Sequence, residues 1–499
     1  MRYEFFYADY NMFPYERKLA VDEIQSIFND SNKLDATSES LILTTEEFID
    51  DNMLKKMTYF KSIRIDGREI TPVITLLEKS SISSNRQATR YSAHGIHEYK
   101  GKFNPQIVHA LLNILGANEE SLILDPFCGS GTTLLESSLM GYKSIGFDIN
   151  PLAVFIANAK QESLDVDPEI LLATWNDIAS ETTRYSLNEI ESLVNDQERT
   201  DYLLKWFPEK TFIEIENLRI SLLNKEAKIR DIILVLISNN LRDYSNQEPG
   251  DLRIRKRRSD FPIIELVAKI DKDINSFCQK MSKARRVSKN FRGIGKAILG
   301  NNSSNNFSDS IKVDIAITSP PYATALPYID TQRLSLVWLG LIRPYEIMPL
   351  ERTLTGTREL RKSEINKIIS EMRENNRKLP QHLNFYVNML QDTLSEEDGF
   401  RRQAVPALLY NYFSDMESML ANILNILKPG GAFALVVGTN STTLGGQKFV
   451  IDTPEWLAYI AEQIGWKIES LNKLETYKRY DIHSANSINE ETLLVLRKA

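Results

Sequence analysis

The chain has 499 residues, of which 42% are hydrophobic and 25% charged, and its formal net charge is −7. At roughly 100–200 residues per domain this length corresponds to about three domains, and the composition excludes a wholly disordered or fibrous chain. No stretch approaches 18 apolar residues, and the N-terminus lacks a basic segment followed by an apolar one, so we expect neither a membrane span nor a signal peptide. The two cysteines, Cys128 and Cys278, are too few for a disulfide framework or a four-cysteine zinc site. We therefore expect a cytoplasmic protein without a metal.

The N-terminal part, residues 1–80, is predicted to be a small α/β module. A strand-like run of aromatic residues extends from Tyr3 to Tyr7, and an amphipathic helix is predicted near Glu16–Phe28. The polar stretch Ser80–Asn85 is typical of a linker and ends the module.

A strongly patterned α/β region follows this linker. After a helix at Gln106–Leu115, buried strands are predicted at Leu122–Asp125 and Lys143–Asp148, with the helix Thr132–Met140 between them. A strand–helix–strand unit of this length is parallel, which indicates a doubly wound sheet. A further buried strand is predicted at Val313–Thr318.

The C-terminal part continues the same sheet. The pattern predicts a helix at Tyr412–Leu427, a turn at Lys428–Gly431, a strand at Ala432–Val437 and a helix at Pro454–Ile464. Strands near Trp466–Leu471 and Thr492–Leu496 are expected to form an antiparallel edge hairpin. We thus expect an α/β fold with a mostly parallel sheet, an antiparallel edge hairpin and two helical, charge-rich insertions.

The sequence Asp125-Pro-Phe-Cys-Gly-Ser-Gly-Thr-Thr133 ends one predicted strand and begins the next helix. A Gly-x-Gly turn in this place lets the backbone approach a ligand closely, with the amides of the helix N-terminus facing it. Asp148 lies 19 residues after Gly129, close to the roughly 20 at which an acidic residue meets a ribose hydroxyl. Leu134 stands where Gly-x-Gly-x-x-Gly has its third glycine, which disfavours NAD or FAD as the ligand.

This nine-residue sequence resembles motif I of S-adenosylmethionine-dependent DNA amino-methyltransferases. The resemblance implies S-adenosylmethionine as cofactor and a Rossmann-like class I methyltransferase sheet. It also implies that the loop wraps the methionine portion, and that Asp148-Ile-Asn-Pro151 holds the ribose and flanks the adenine. The cofactor-binding residues implied here are Asp125, Pro126, Phe127, Cys128, Gly129, Ser130, Gly131, Thr132, Thr133, Asp148, Ile149, Asn150 and Pro151.

Thr318-Ser-Pro-Pro-Tyr322 directly follows a predicted buried strand. Two prolines make the loop rigid and leave its carbonyl oxygens free to accept hydrogen bonds, and the tyrosine ring projects outward. These features suit the binding of a flat heterocycle with an exocyclic amine. The sequence resembles motif IV of the same family, and the resemblance implies Ser319, Pro320, Pro321 and Tyr322 as catalytic residues. Serine at the first position is more typical of enzymes acting on N4 of cytosine, and Asp or Asn of those acting on N6 of adenine.

The segment His94–Pro105 (HGIHEYKGKFNP) resembles motif X of these enzymes, which covers the cofactor. The residues implied to do so are Tyr99, Lys102, Phe103 and Pro105. Gly300-Asn301 lies where the family has Gly-Asp in motif III, so Asn301 is a further predicted cofactor residue.

Two basic runs are the candidates for phosphate contacts despite the negative net charge, because binding depends on a local basic face. Arg253–Arg258 has five basic residues in six, and Lys280–Lys296 has seven and no acid. The residues predicted to contact DNA phosphates are Arg253, Arg255, Lys256, Arg257, Arg258, Arg285 and Arg286.

Together these features predict methyl transfer from S-adenosylmethionine to an exocyclic amine of a flipped base in double-stranded DNA, most of all N4 of cytosine. We expect a role in restriction-modification or related defence, with a separate restriction endonuclease as a partner. The alternatives are N6 of adenine in DNA, N2 of guanine in tRNA, and a regulatory or specificity subunit that binds the cofactor without turnover. Because C5 methylation needs a cysteine that usually follows a proline, and the chain has no Pro-Cys, C5 chemistry is disfavoured.

The resemblance divides the chain into six predicted parts. These are the N-terminal module 1–80, the cofactor-binding half 90–164, a basic helical insertion 165–295 that is the candidate for target recognition, the catalytic half 296–344, a second helical insertion 345–397, and the remaining sheet 398–499.

Overall fold

The computed structural model describes residues 1–28, 34–79, 87–181, 184–251, 253–301, 311–323, 328–475 and 490–499. The predicted linker Ser80–Asn85 lies outside these residues. No helix within the described ranges is long and apolar enough to cross a membrane. Within the same ranges, no group of His, Cys, Asp and Glu side chains is able to hold a metal ion.

The N-terminal segment forms an antiparallel sheet of five described strands in the order β2-β3-β1-β4-β5. Tyr3, Phe5 and Tyr7 alternate along the central strand and are buried. The strands are β1 Arg2–Tyr7, β2 Leu34–Ala36, β3 Ser40–Thr44, β4 Phe60–Ile65 and β5 Arg68–Ile70, and the helices are α1 Pro14–Ile27, α2 Asp51–Lys55 and α3 Val73–Glu78. The first helix begins two residues before its predicted start, because Pro14 suits the first helical position.

The central sheet contains seven described strands in the order β13-β14-β10-β9-β6-β7-β8. The strands β6 to β10 pair in parallel, whereas β14 is antiparallel to both of its neighbours. The bounds are β6 Leu122–Asp125, β7 Lys143–Asp148, β8 Gly295–Leu299, β9 Val313–Thr318, β10 Leu427–Gly438, β13 Lys467–Glu475 and β14 Glu490–Arg497, and β11 Asn440–Leu444 and β12 Gln447–Ile451 form a separate hairpin. This order, with its antiparallel strand, confirms the expected fold class.

Helices surround the central sheet and make up both insertions. Those next to the cofactor motifs are α4 Pro105–Ile114, α5 Thr132–Met140 and α6 Pro151–Asp165. The first insertion contains α7 Pro168–Ser180, α8 Leu187–Val194, α9 Gln197–Trp206, α10 Glu209–Leu222, α11 Ala227–Ser238 and α12 Leu266–Val287. The rest of the chain contains α13 Tyr328–Trp338, α14 Ile347–Thr353, α15 Lys362–Glu374, α16 Gln381–Asp392, α17 Phe400–Gln403, α18 Val405–Ile426 and α19 Thr453–Gln463.

Two parts of the sheet differ from the sequence prediction. The predicted turn Lys428–Gly431 is a bulge inside β10, where the pairing with β9 shifts from Leu427–Val313 to Ala432–Ile315. The strand β8 was not predicted, because it is a short edge strand with glycine and lysine and lacks the apolar run of a buried strand.

Both faces of the central sheet are buried, which explains the continuous apolar runs of its strands. On one face Ile315 and Ile317 share a hydrophobic cluster with the N-terminal sheet and α4. On the other face Ala316 and Phe433 share a cluster with α18 and α19. The N-terminal sheet is therefore part of the core that supports β9.

A buried ion pair fastens the first insertion to the helix that follows β9. The guanidinium of Arg199 donates to both carboxylate oxygens of Glu216, at 3.0 and 2.7 Å. It also donates to the carbonyl oxygens of Val337 and Trp338 at the end of α13, at 3.2 and 2.7 Å. Arg199 and Glu216 are 5% and 0% exposed, so the pair lies in the interior.

Glu216→Ala should lower the melting temperature strongly, because it leaves a buried guanidinium without its carboxylate, at a cost of about 3–5 kcal/mol. Thermal unfolding followed by circular dichroism measures the change. Lys18→Ala, which removes an exposed ion pair with Asp22, is the control and should cost less than about 1 kcal/mol. Equal shifts in the two variants would contradict the structural role of the pair.

Candidate functional site

The carboxyl ends of four neighbouring strands converge on one cavity. Gly129 lies in the loop after β6, Asp148 ends β7, Asn301 follows β8 and Ser319 follows β9, and all four line the cavity. Parallel strands place their carboxyl ends at the same edge of a sheet, where open α/β sheets bind their ligands. The structure thus brings residues of the predicted motifs I, III and IV and of the predicted Asp148–Pro151 segment to one site.

The loop after β6 folds tightly because its two glycines adopt left-handed backbone angles. Gly129 has a φ of 47° and Gly131, at the start of α5, a φ of 75°. A Cβ on Gly131 would lie 2.7 Å from the Cβ of Ala157, so glycine also permits the close packing of α5 against α6. A Cβ on Gly129 would lie 3.2 Å from the ring of Tyr99, which covers the loop.

The carboxylate of Asp125 lies beneath this loop and holds it to β9. It accepts hydrogen bonds from the hydroxyls of Thr133 at 2.6 Å and Thr318 at 2.7 Å, and from the amide of Phe127 at 3.1 Å. Burial raises the pKa of Asp125 to about 6. Asp125 therefore positions the loop, and its carboxylate is not part of the cavity lining.

Asp148 presents its carboxylate at the cavity wall. One oxygen accepts from the amide of Gly129 at 2.9 Å and the other from the amide of Asn150 at 2.9 Å. Burial raises the pKa of Asp148 to about 6. Ile149 and Asn150 line the cavity beside it, so a carboxylate, an apolar side chain and an amide are adjacent.

The loop Ser319–Tyr322 forms the opposite wall of the cavity. Its start is fixed by the bond from Thr318 to Asp125, and its end by the hydroxyl of Tyr322, which donates to Glu491 of β14 at 2.9 Å. The side chain of Asn150 donates to Gln332 of α13 at 2.5 Å, so the two walls are also joined through the helix that follows the loop.

The segment resembling motif X reaches the cavity only in part. Tyr99 lines the cavity together with Lys100 and Gly101. The ammonium of Lys102 points into the protein, where it donates to the carbonyl oxygens of Thr89 and His94 at 2.9 and 3.1 Å. Phe103 packs against the N-terminal core, and Pro105 begins α4.

The remaining predicted cofactor residues lie outside the cavity lining. Cys128 is buried, and Ser130 accepts from the buried Lys160 at 3.1 Å. Pro151 begins α6. Pro126, Gly131, Thr132 and Thr133 also lie outside the lining, and direct cofactor contacts at all of these positions stay a prediction.

Four parts of the lining were not predicted from the sequence. Gly300 adjoins the predicted Asn301, and Lys100 and Gly101 adjoin Tyr99. Tyr328 lies six residues after Tyr322, without a motif of its own. Thr353–Thr355 belong to the second insertion, for which the sequence predicts only a helical, charge-rich segment. No local pattern marks this last group, because only the folded chain brings the insertion to the cavity.

The first basic run forms a hairpin beside the cavity. Gln247 pairs with Lys256 across the hairpin and donates to the carbonyl oxygen of Asp330 at 3.2 Å, two residues after the cavity-lining Tyr328. Lys256 and Arg258 are exposed. This hairpin is therefore in a position to contact a polymer that enters the cavity.

The arginines of this hairpin are not equivalent. The guanidinium of Arg257 donates to the carbonyl oxygens of Ser245 and Asp260, at 2.7 and 2.9 Å, and holds the hairpin together. Arg255 forms an ion pair with Asp251 at 3.0 Å, and Arg253 is half-buried. Among the described residues the side chain of Arg258 has no ion-pair partner.

The second basic run lies far from the first. Arg285 donates to the carbonyl oxygen of Asp165 at 2.9 Å, and Asp165 ends α6 at the edge of the sheet opposite the cavity. The hairpin precedes the beginning of α12 in the chain, and Arg285 lies near the end of that helix. A helix of 22 residues is roughly 30 Å long, at about 1.5 Å per residue. The structure therefore does not place Arg285 and Arg286 beside the described lining of the cavity.

The residues of the cavity fit S-adenosylmethionine. The carboxylate of Asp148 retains accepting capacity beyond its two backbone bonds, as a ribose diol requires. Ile149 offers an apolar surface for a purine, and Gly129, which has no side chain, lets the backbone of its loop line the cavity.

Comparison with known proteins gives matches to methyltransferases. A family model described as DNA methylase matches residues 12–159. The Type II methyltransferase M.MjaII of Methanocaldococcus jannaschii is 42% identical over 107 residues, which are 21% of this chain and 19% of that protein. The Type II methyltransferase M.BsoBI of Geobacillus stearothermophilus is 24% identical over 477 residues, which cover 83% of this chain and 87% of that protein.

A tRNA enzyme also matches, over a much shorter segment. The tRNA (guanine(10)-N2)-dimethyltransferase of Methanothermobacter thermautotrophicus is 40% identical over 52 residues, 10% of this chain and 16% of that protein. The match to M.BsoBI, by contrast, extends over most of both chains.

Asp148→Ala should weaken S-adenosylmethionine binding by about tenfold or more, because the hydrogen bonds of a carboxylate to the ribose hydroxyls are lost. In the unaltered protein, binding should also weaken as the pH falls below about 6, where Asp148 becomes protonated. Isothermal titration calorimetry at pH 5 and pH 8 measures both effects. Asp22→Asn, in the surface ion pair with Lys18, is the control. Unchanged affinity of Asp148→Ala would contradict the assignment.

Proposed function

Because this chain is a member of the S-adenosylmethionine-dependent DNA amino-methyltransferases, we propose that it methylates N4 of cytosine in a specific sequence of double-stranded DNA. The observation that carries the proposal is that Asp148 and the Ser319–Tyr322 loop line the same cavity. Asp148, which suits a ribose, and the Ser319–Tyr322 loop, which suits a flat base with an amine, therefore face the same cavity. Serine at position 319 supports cytosine N4 over adenine N6, where Asp or Asn is more typical.

Positioning is the main contribution of the protein to the reaction. S-adenosylmethionine, when bound, supplies a methyl group that is already activated on a sulfonium. The target base leaves the duplex, and its ring stacks on Tyr322. The side chain of Ser319 and the carbonyl oxygen of Pro320 accept hydrogen bonds from the amine, which favours sp³ nitrogen and directs its lone pair towards the methyl group.

The cysteines support transfer to an amine instead of to a ring carbon. Methylation at C5 of cytosine requires a reactive thiolate, whereas Cys128 and Cys278 are both buried. Burial raises the pKa of Cys278 to about 11 and that of Cys128 well above its usual value, so both remain thiols at neutral pH.

The biological role we propose is that of the modification enzyme of a restriction-modification system in the cytoplasm. Two relatives are named Type II methyltransferases, which supports this role. A separate restriction endonuclease with the same target sequence would be the functional partner. The basic hairpin at Lys256 and Arg258 would hold the DNA backbone beside the cavity.

Expression of the chain in a methylation-deficient bacterial host should place N4-methylcytosine in one sequence motif of the genome. Sequencing that distinguishes N4-methylcytosine from N6-methyladenine measures the result. Tyr322→Ala should reduce the modification at least about 100-fold, because the stacking surface is lost, while S-adenosylmethionine affinity stays within about twofold.

Each other result identifies a different function. Detection of N6-methyladenine would contradict the assignment of cytosine as the target base, but the protein would still be a DNA methyltransferase. Unmodified DNA together with methylated tRNA would favour the tRNA alternative. Cofactor binding with no transfer to either nucleic acid would favour the regulatory subunit, and a fall in cofactor affinity in Tyr322→Ala would contradict the stacking role.

Arg258→Ala should weaken DNA binding and reduce the slope of log affinity against log salt concentration by about one, because one phosphate contact is lost. Fluorescence anisotropy with duplex DNA at several salt concentrations measures the slope. Arg286→Ala is the matched control, since Arg286 is equally exposed but lies near the opposite edge of the sheet. Equal losses in both variants would contradict the assignment of the hairpin.

A further inference from the structure

Glu491 reaches the cavity wall from the antiparallel strand of the sheet. Because β14 runs opposite to β9 and β10, its beginning lies at the edge where the parallel strands end. Glu491 is paired with Gly438 of β10 on one side and with Leu474 of β13 on the other. Its backbone is thus held by two neighbouring strands, 169 positions along the chain from Tyr322.

The carboxylate of Glu491 bonds the hydroxyl of the tyrosine predicted to stack on the base. The hydroxyl of Tyr322 donates to Oε1 of Glu491 at 2.9 Å. Among the described residues Tyr322 is the hydrogen-bond partner of this carboxylate. Burial raises the pKa of the Tyr322 phenol, so the phenol keeps the proton that it donates.

The hydrogen bond between Tyr322 and Glu491 restrains the side chain of Tyr322, whose torsions the two prolines do not restrict. Pro320 and Pro321 restrict the backbone before Tyr322, but they do not set the side-chain torsions of its ring. A hydrogen bond at the far end of the ring fixes the direction in which the ring points. Because a phenolic O–H prefers to lie in the plane of its ring, the fixed position of the acceptor also favours one orientation of that plane. Its acceptor belongs to a strand whose Leu494 and Leu496 are fully buried, so the anchor is rigid.

We propose that Glu491 is a positioning residue that holds the ring of Tyr322 in the plane on which the target base stacks. This inference rests on the proposed function, since it concerns the base that the enzyme methylates. Glu491 acts through Tyr322 and touches neither base nor cofactor. Its loss should therefore lower the rate of transfer and leave cofactor affinity unchanged.

A double-mutant cycle on the purified full-length chain tests the proposal. The variants are Glu491→Ala, Tyr322→Phe, the double variant and Glu491→Gln, which keeps an accepting oxygen. Transfer of labelled methyl from S-adenosylmethionine to genomic DNA of a methylation-deficient host gives kcat and KM, and calorimetry gives the cofactor Kd. Tyr412→Phe and Glu469→Gln are the controls, because the buried hydroxyl of Tyr412 has no hydrogen-bond partner among the described residues and Glu469 pairs with Arg497 at the surface.

We expect Glu491→Ala and Tyr322→Phe each to lower kcat about tenfold, as the loss of one hydrogen bond to a charged group implies. The double variant should lose no more than either single variant, because both remove the same interaction. Glu491→Gln should recover most of the rate, and both controls and all cofactor Kd values should stay at the level of the unaltered protein.

Three results would overturn the proposal. Multiplicative losses in the double variant, or a normal rate in Tyr322→Phe beside a slow Glu491→Ala, would show that Glu491 does not act through Tyr322. A rise in cofactor Kd would give Glu491 a different role. If the unaltered protein transfers no methyl group to DNA, the proposed function fails together with this inference. If the unaltered protein does transfer methyl groups but the effects of the two single substitutions multiply, the inference alone is refuted. Tyr322→Phe removes only one oxygen, so the test holds even if Glu491→Ala does not fold.

Discussion

The hydrogen bonds to the buried carboxylate of Asp125 are the interactions on which the site depends, because they join the two halves of the site. One oxygen holds Thr133 at the start of α5 and the other holds Thr318 at the end of β9. The loop with the glycines and the loop with the prolines are thereby fixed relative to each other. Transfer of a methyl group between two bound molecules needs such a constraint, because a small error in their separation lowers the rate of transfer strongly.

A second buried network ties this arrangement to the N-terminal module. Glu136 of α5 lies 2.8 Å from the hydroxyl of Tyr91 and 2.6 and 2.7 Å from ring nitrogens of His94 and His109. Burial alone would raise the pKa of Glu136, but the hydrogen bonds of His109 and His94 outweigh it and hold the pKa at about 2. The second ring nitrogen of His109 lies 3.0 Å from the carbonyl oxygen of Lys56. The segment that carries Tyr99 is thus anchored through α5 and His109 to the end of α2 in the N-terminal module.

The motifs were predictable because each is local in sequence and chemically distinctive. A glycine turn between a strand and a helix, or two prolines after a buried strand, limits the backbone to few conformations. The same reasoning missed Thr353–Thr355 and Glu491, which carry no pattern of their own and reach the cavity only through the topology of the chain. It also predicted phosphate contacts for Arg257 and Arg285, and the structure shows that the guanidiniums of both donate to backbone carbonyl oxygens.

The sequence by itself predicted six of the seven described strands of the central sheet, the glycine turn at Gly129–Gly131 and the proline loop at Ser319–Tyr322. Periodicity, glycine and proline act over a few residues, so they are visible without the fold. Only the tertiary structure decided that both loops line one cavity and that the two basic runs lie at opposite ends of α12. It also decided that Glu491 holds Tyr322, because contacts between residues far apart in sequence depend on strand order and direction, which no local pattern encodes.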